Sequence, residues 1–169
     1  MHQPSLLDTD ILSELFKGNS SVKARASEYL SEHRHFTISH IAQYEILKGL
    51  KAKKAQRQVD AFILFCKANI VLHITDDVIV KAADIYAALR GEGAIISDAD
   101  ILVASIAIIN NLVLVTNNIN HFSRIKVCFC KPRTTKFAKP FSLKSVESNM
   151  VVKPFFIVWL QNLLPYMFT

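Results

Sequence analysis

Glycine is scarce in this chain: Gly18, Gly49, Gly91 and Gly93 are the only four in 169 residues. No arrangement of them builds a Walker A loop or a dinucleotide fingerprint, so mechanisms that need a glycine-built phosphate cradle are excluded. A serine nucleophile elbow, with glycine two residues either side of the serine, is excluded for the same reason. Cysteine is scarcer still. Cys66, Cys128 and Cys130 are too few and too unevenly placed for a secreted disulfide scaffold, which points to a reducing, cytoplasmic compartment. Cys128-Phe129-Cys130 with His121 supplies only part of a closed zinc site, which needs four ligands, and two ordinary thiols on a strand is the plainer reading. Met1 to Asp8 lacks the basic region and apolar run of a signal peptide, so none is expected. No apolar run reaches the length of about twenty residues that a membrane-spanning helix needs, so no transmembrane segment is expected either.

Proline and charge divide the chain at one point. Only Pro4 precedes residue 126, whereas Pro132, Pro140, Pro154 and Pro165 follow it. Residues 1–125 carry 13 Lys+Arg against 13 Asp+Glu, while residues 126–169 carry 7 against the single Glu147. The whole net charge of +6 therefore belongs to the last quarter of the chain. These shifts predict one domain over residues 1–130 and a basic, then apolar, tail over residues 131–169.

Within the first part, short apolar runs alternate with stretches of helical spacing. Strands are predicted at Ser5–Leu7, Phe36–Ser39, Ile70–Ile74 and Leu112–Val115, with Lys126–Cys130 as a candidate for the last one. Helices are predicted over Asp10–Lys17, capped by Thr9 and ended by Gly18, and over Ser21–His33, His40–Leu50 and Gln58–Ala68. Two more run from Asp76 or Asp77 to Arg90 and over Ile101–Ile109, the latter apolar nearly all round. In the His40 helix, Ile41, Tyr44 and Leu47 form the expected apolar stripe. Strands separated by helices, with no two-residue hairpin between them, indicate an α/β sandwich around a mainly parallel sheet. Ligands gather outside the carboxyl ends of such strands. Asp8 and Thr116-Asn117-Asn118 stand at those ends.

Asp8 follows a buried strand, Glu45 lies inside an amphipathic helix, and Asp100 opens the apolar one. An acid among Leu, Ile and Val is costly to bury without a positive partner. Three such acids converging on one point require a cation, and their hard oxygens suit Mg²⁺ or Mn²⁺. Each also has a plainer role open to it: Asp8 and Asp98 as helix caps, Glu45 as the partner of Lys48. Lys48, Lys51, Lys53, Lys54 and Arg57 form a basic stretch after Glu45, suited equally to an RNA backbone or to a solvated helix end. His40 and His73 read as packing or hydrogen-bonding residues.

Four blocks then carry a resemblance. Leu6-Leu7-Asp8-Thr9-Asp10-Ile11-Leu12-Ser13 resembles the opening of the PIN-domain family, specifically of VapC toxins from toxin–antitoxin pairs. The segments Ile38–Gly49, with Glu45, and Ile96–Ala104, with Asp98 and Asp100, resemble its second and third acidic blocks. Leu114–Phe122 resembles the fourth. The resemblance spans residues 5–125 and implies a three-layer α/β/α sandwich and a divalent-metal-dependent endoribonuclease. It also implies a homodimer, held in check by a cognate antitoxin. Asp8, Glu45 and Asp100 match the metal-binding acids, and Asp98 is a secondary candidate. The fourth block departs from the common pattern, with Asn118 where many members have an acid and His121 where many have Asp or Glu.

The expected chemistry is attack of a metal-activated water on an RNA phosphodiester, with Thr9 or Thr116 orienting a ligand or a water. The rival reading is a catalytically weak PIN-like module that binds RNA or a protein partner. The tail lies outside the resemblance and has three readings: an interfacial amphipathic segment, a strip that docks on the enzyme or a partner, or the product of a displaced reading frame. The abrupt change of composition where the family pattern stops favours the last.

Overall fold

The computed structural model describes residues 2–126 together with the backbone of residues 130–132. The expectations for Cys128, for the tail and for its boundary lie outside the described residues. The elements run β1 (Ser5–Leu7), α1 (Thr9–Phe16), α2 (Ser20–His33), β2 (Thr37–Ser39), α3 (His40–Ala52) and α4 (Gln56–Lys67). They continue with β3 (Ile70–Leu72), α5 (Asp76–Gly91), α6 (Asp98–Ile109), β4 (Val113–Thr116), α7 (Ile119–Phe122) and β5 (Cys130–Pro132). All pairings in the five-stranded sheet are parallel and its order is β3-β2-β1-β4-β5. The last strand lies later than the sequence suggests. It takes in Pro132, which an edge strand tolerates because one side of its backbone needs no ladder partner.

Successive strand residues face opposite ways, and this alternation sorts the core into two layers. Leu7 and Ile38 pack under α1 to α4 with Leu12, Phe16, Phe62 and Phe65. Leu6 and Leu114 pack under α5 and α6 with Val78, Ile101, Ile106 and Phe122. A parallel sheet buried on both faces explains why its strands read as continuous apolar runs. Edge-to-face contacts set Phe16 against Phe62 and Phe65, with ring centroids 5.6 and 5.1 Å apart. Cys66 is buried in the same layer, and desolvation pushes its thiol up to about 11, far from a reactive or metal-ligating state.

The stripe expected on α3 is corrected by the structure. Tyr44 is 62% exposed, while Ala42 and Ile46 are buried. The helix sits over β2 between the two apolar layers, so Ile41 packs with one and Ala42 and Ile46 with the other. Its polar face is left to Tyr44, and Lys48 Nζ lies 5.1 Å from the Tyr44 ring centroid.

Candidate active site

Parallel pairing brings the carboxyl ends of β1 and β4 side by side at the point where the strand order reverses. The backbone N–H of Asp8 donates to Val115 O at 3.1 Å, extending the ladder one residue beyond β1 and leaving Asp8 extended. Asp8, not Thr9, is consequently the N-cap of α1, its Oδ1 accepting from Thr9 N at 2.8 Å. Its Oδ2 accepts from the Thr116 hydroxyl at 2.8 Å. Thr116 Oγ1 in turn accepts from Asn118 N at 2.9 Å, which ties the loop after β4 to the same carboxylate.

Asp8 is 8% exposed. Burial raises its pKa from 3.8 to about 6, the charges of Asp10 and Asp100 add to the rise, and the bonds from Thr116 and Thr9 oppose it. Each of its oxygens accepts one hydrogen bond and keeps a further lone pair.

Asp100 lies in the first turn of α6, whose N-cap is Ser97; Ser97 Oγ accepts from Asp100 N at 3.1 Å. Asp98, the first residue of that helix, is exposed, and its side chain makes no hydrogen bond to a described residue. Asp100 is half-buried, and its Oδ2 lies 2.8 Å from His121 Nδ1 on α7. Asn118 Nδ2 approaches the same ring nitrogen at 2.9 Å. Thr116, Asn118 and His121 are thus drawn to the two aspartates.

Glu45 is reached from α1, its Oε2 accepting from the Thr9 hydroxyl at 2.5 Å. The pairing with Lys48 does not form: among the described residues Glu45 makes no ion pair, and Lys48 lies over Tyr44. His40 and His73 follow the carboxyl ends of β2 and β3 and meet edge to face, their centroids 4.3 Å apart. Burial and His73 lower the His40 pKa.

Asp10 is a site residue that the sequence pattern alone does not single out. Its Oδ2 accepts from Asn117 N at 2.7 Å, which fixes the loop after β4 from the α1 side. The spacing Asp8-Thr9-Asp10 at a helix start is the signal that could have found it.

Among the described residues no three His, Cys, Asp or Glu side chains form a ready ligand cage. Mg²⁺ seldom uses one. It is held by one or two carboxylates and keeps several waters. Asp8, a buried carboxylate with lone pairs to spare and the negative Asp100 nearby, fits that mode of binding.

The sequence profile of the PIN domain matches residues 5–127. Ribonuclease VapC1 of Methanocaldococcus jannaschii is 32% identical over 121 residues, covering 72% of this chain and 80% of the relative. The chain belongs to the PIN-domain family, as one of its VapC-type members. Ribonuclease VapC2 of Rickettsia felis is 33% identical to this PIN domain over 128 residues, 71% of the chain and 90% of the relative. Among solved structures, VapBC2 from Rickettsia felis bound to a DNA fragment from its promoter contains a chain that superposes with a TM-score of 0.69 at 27% identity. That match covers 76% of this chain and 97% of the other. DNA-bound VapBC from Salmonella typhimurium shares the fold, with a TM-score of 0.69 at 23% identity over 78% and 99% of the two chains. The three-layer architecture expected from the sequence is the one this PIN domain adopts.

Proposed function

We propose that this PIN-domain protein is a metal-dependent endoribonuclease and the toxin of a toxin–antitoxin pair. The observation that carries the reading is the buried Asp8 carboxylate at the carboxyl end of β1, within electrostatic reach of Asp100 and held from both sides by Thr9 and Thr116. A fold does not keep a carboxylate in so costly a place for stability alone.

Asp8 and Asp100 would hold Mg²⁺ or Mn²⁺, with Glu45 as the third acid. A bound ion of this kind supplies a water of lowered pKa and neutralises charge building on the phosphate. The chain's own residues prepare the place for it. Thr116 fixes one oxygen of Asp8 and the Thr9 backbone fixes the other, so the remaining lone pairs keep one direction. Thr9 also holds Glu45 through its hydroxyl, linking two acids through one residue.

Residues 1–125 are neutral overall, so affinity for RNA has to come from the bound cation and from local lysines. Lys48, Lys51, Lys53, Lys54 and Arg57 are exposed along the end of α3 and the start of α4 and are assigned to the RNA backbone. The partner reading is a cognate antitoxin together with a homodimer; its antitoxin half is supported by a solved relative that is a VapBC complex. Among the described residues no helix is long and apolar enough to cross a membrane.

The test is cleavage of a mixed RNA pool by the purified chain with Mg²⁺ or Mn²⁺, against the same reaction in chelator and against Asp8→Asn. Cleavage confined to the metal-loaded wild type is expected. Equal cleavage in chelator or by Asp8→Asn would overturn the metal-dependent reading. RNA binding without cleavage in any metal would return the protein to the class of binding modules. Co-expression with the product of an adjacent small gene is expected to restore growth.

A further inference from the structure

Tyr44 stands 62% exposed on α3 and belongs to neither apolar layer. A lone exposed ring is common on protein surfaces and by itself says little. This one is set in a row. His40, Tyr44, Lys48 and Lys51 follow one another at four- and three-residue steps, so they share one face of the helix. Tyr44, Lys48 and Lys51 are exposed and His40 is half-buried, while Ala42 and Ile46 turn inward on the opposite side. Lys48 Nζ lies 5.1 Å from the Tyr44 ring centroid. At the other end of the row the His40 ring meets His73 edge to face, which carries the aromatic surface across to the residue that follows β3.

The row runs beside the acids. Glu45 follows Tyr44 in the chain, and its carboxylate is tied through the Thr9 hydroxyl to the residue after Asp8. Flat rings interleaved with cations are the means by which a protein holds single-stranded nucleic acid: bases stack on the rings and the cations take the phosphates. A lysine poised over a tyrosine ring suits that use, because a base that displaces it from the ring leaves the ammonium at hand for a neighbouring phosphate. A duplex offers the ring no free base face, since its bases are stacked on one another. A protein interface would also cover a tyrosine, but the buried centre of such an interface is depleted in lysine. The charge on this face complements phosphate.

We propose that Tyr44 stacks an unpaired nucleobase of the RNA substrate, with His40 and His73 continuing the stacking surface and Lys48 and Lys51 holding the adjoining phosphates. The proposal rests on the RNA-cleaving reading above and names the form of substrate it takes, a single-stranded stretch laid along α3 with one base on Tyr44 beside Glu45.

The test reads binding apart from cleavage. A short single-stranded RNA of defined sequence, labelled at one end, is titrated with the full chain and followed by fluorescence anisotropy. Ca²⁺ replaces Mg²⁺ and Mn²⁺ to neutralise the acids, and a gel confirms that the RNA stays whole. Tyr44→Phe should bind as the wild type does, whereas Tyr44→Leu, which keeps an apolar side chain but loses the ring, should bind about five- to a hundredfold more weakly. Lys48→Met should instead reduce the slope of log affinity against log salt by about 0.7, a slope that Tyr44→Leu leaves alone. Replacing nucleotides one at a time by abasic sites should locate a position at which the wild type loses affinity and Tyr44→Leu does not.

Equal RNA affinity in the wild type and Tyr44→Leu would overturn the proposal. If Tyr44→Leu then altered the oligomeric state in gel filtration, the face would be a contact between copies of the chain. Failure of the wild type to bind the RNA would overturn it as well. Tyr44-dependent binding by a chain that cleaves no RNA in any metal would uphold this proposal and overturn the endoribonuclease; metal-dependent cleavage with Tyr44→Leu unaltered in affinity would do the reverse.

Discussion

Asp8 and Asp100 are both carboxylates at the mouth of one parallel sheet, yet the fold treats them differently. Asp8 is held by its own neighbourhood, the Thr9 backbone and the Thr116 hydroxyl, and burial raises its pKa to about 6. Asp100 is half-buried on the first turn of a helix, and its side chain is met by His121 from another element. One corner is built into the sheet at a cost in desolvation; the other is hung on α6 and α7. The difference separates a carboxylate that is costly to the fold from one that is held at its surface.

The largest expected effect falls equally on the two corners. Asp8→Asn and Asp100→Asn should each lower RNA cleavage by about two orders of magnitude or more, since on the proposed reading each would remove an anionic ligand from the same ion. Cleavage assays on folded protein, checked by circular dichroism, decide this. Near-wild-type cleavage by Asp100→Asn alone would leave Asp8 as the only carboxylate that matters and dissolve the pairing.

Stability should then divide what activity does not. Because Asp8 has a higher pKa folded than its ordinary 3.8, the folded chain binds the extra proton between about pH 4 and pH 6. Its contribution to stability is therefore greatest at the acid end and is lost as pH rises through that window. The loss amounts to about 3 kcal/mol. Denaturant titrations of the metal-free protein at pH 4 and pH 7 should show it. Asp8→Asn should flatten that slope and be more stable than the wild type at pH 7. Asp100→Asn should reduce the slope only slightly, because burial and not the Asp100 charge is the chief cause of the rise.

Thr116→Val probes the built-in corner without removing its charge. The fully buried hydroxyl serves Asp8 Oδ2 and Asn118 N together, so its loss leaves two polar groups short of a partner. A cost of about 1–3 kcal/mol is expected. The Thr116 bond also lowers the Asp8 pKa, so the acid limb of the pH–activity profile should move upward in the variant. An unmoved limb would mean that the activity-limiting ionisation is not that of Asp8.

Much of this arrangement is legible in the amino-acid sequence. β1 is expected at Ser5–Leu7 and forms there, because three residues ending at an acid and a helix start admit few other readings. The helix after Ser97 is legible for its apolar length. Which of two adjacent capping residues caps α1 is not, because the choice is made by a backbone hydrogen bond to Val115, 107 residues away in the chain. The α3 stripe misleads because a helix that serves two apolar layers does not show one clean period. The four residues of α7 are too few for periodicity to show, and the meeting of His121 and Asp100, 21 residues apart, stays hidden with them.

The smallest expected effect concerns the third acid, which belongs to neither corner. Glu45 comes from α3 and is joined to the site through the Thr9 hydroxyl. Thr9 lies next to the Asp8 cap, but its hydroxyl does no capping; the backbone N–H does that, and Thr9→Val keeps it. The substitution should therefore spare α1 and the Asp8 corner, cost no more than about 1 kcal/mol of stability, and release Glu45 alone. If Glu45 acts in the site, cleavage should fall several-fold with KM little changed, because a misdirected acid weakens the reacting arrangement more than RNA binding. Unchanged kcat would make the Thr9 to Glu45 bond a brace between α1 and α3. The site would then be reduced to the two aspartates, whose unequal settings would account for it alone.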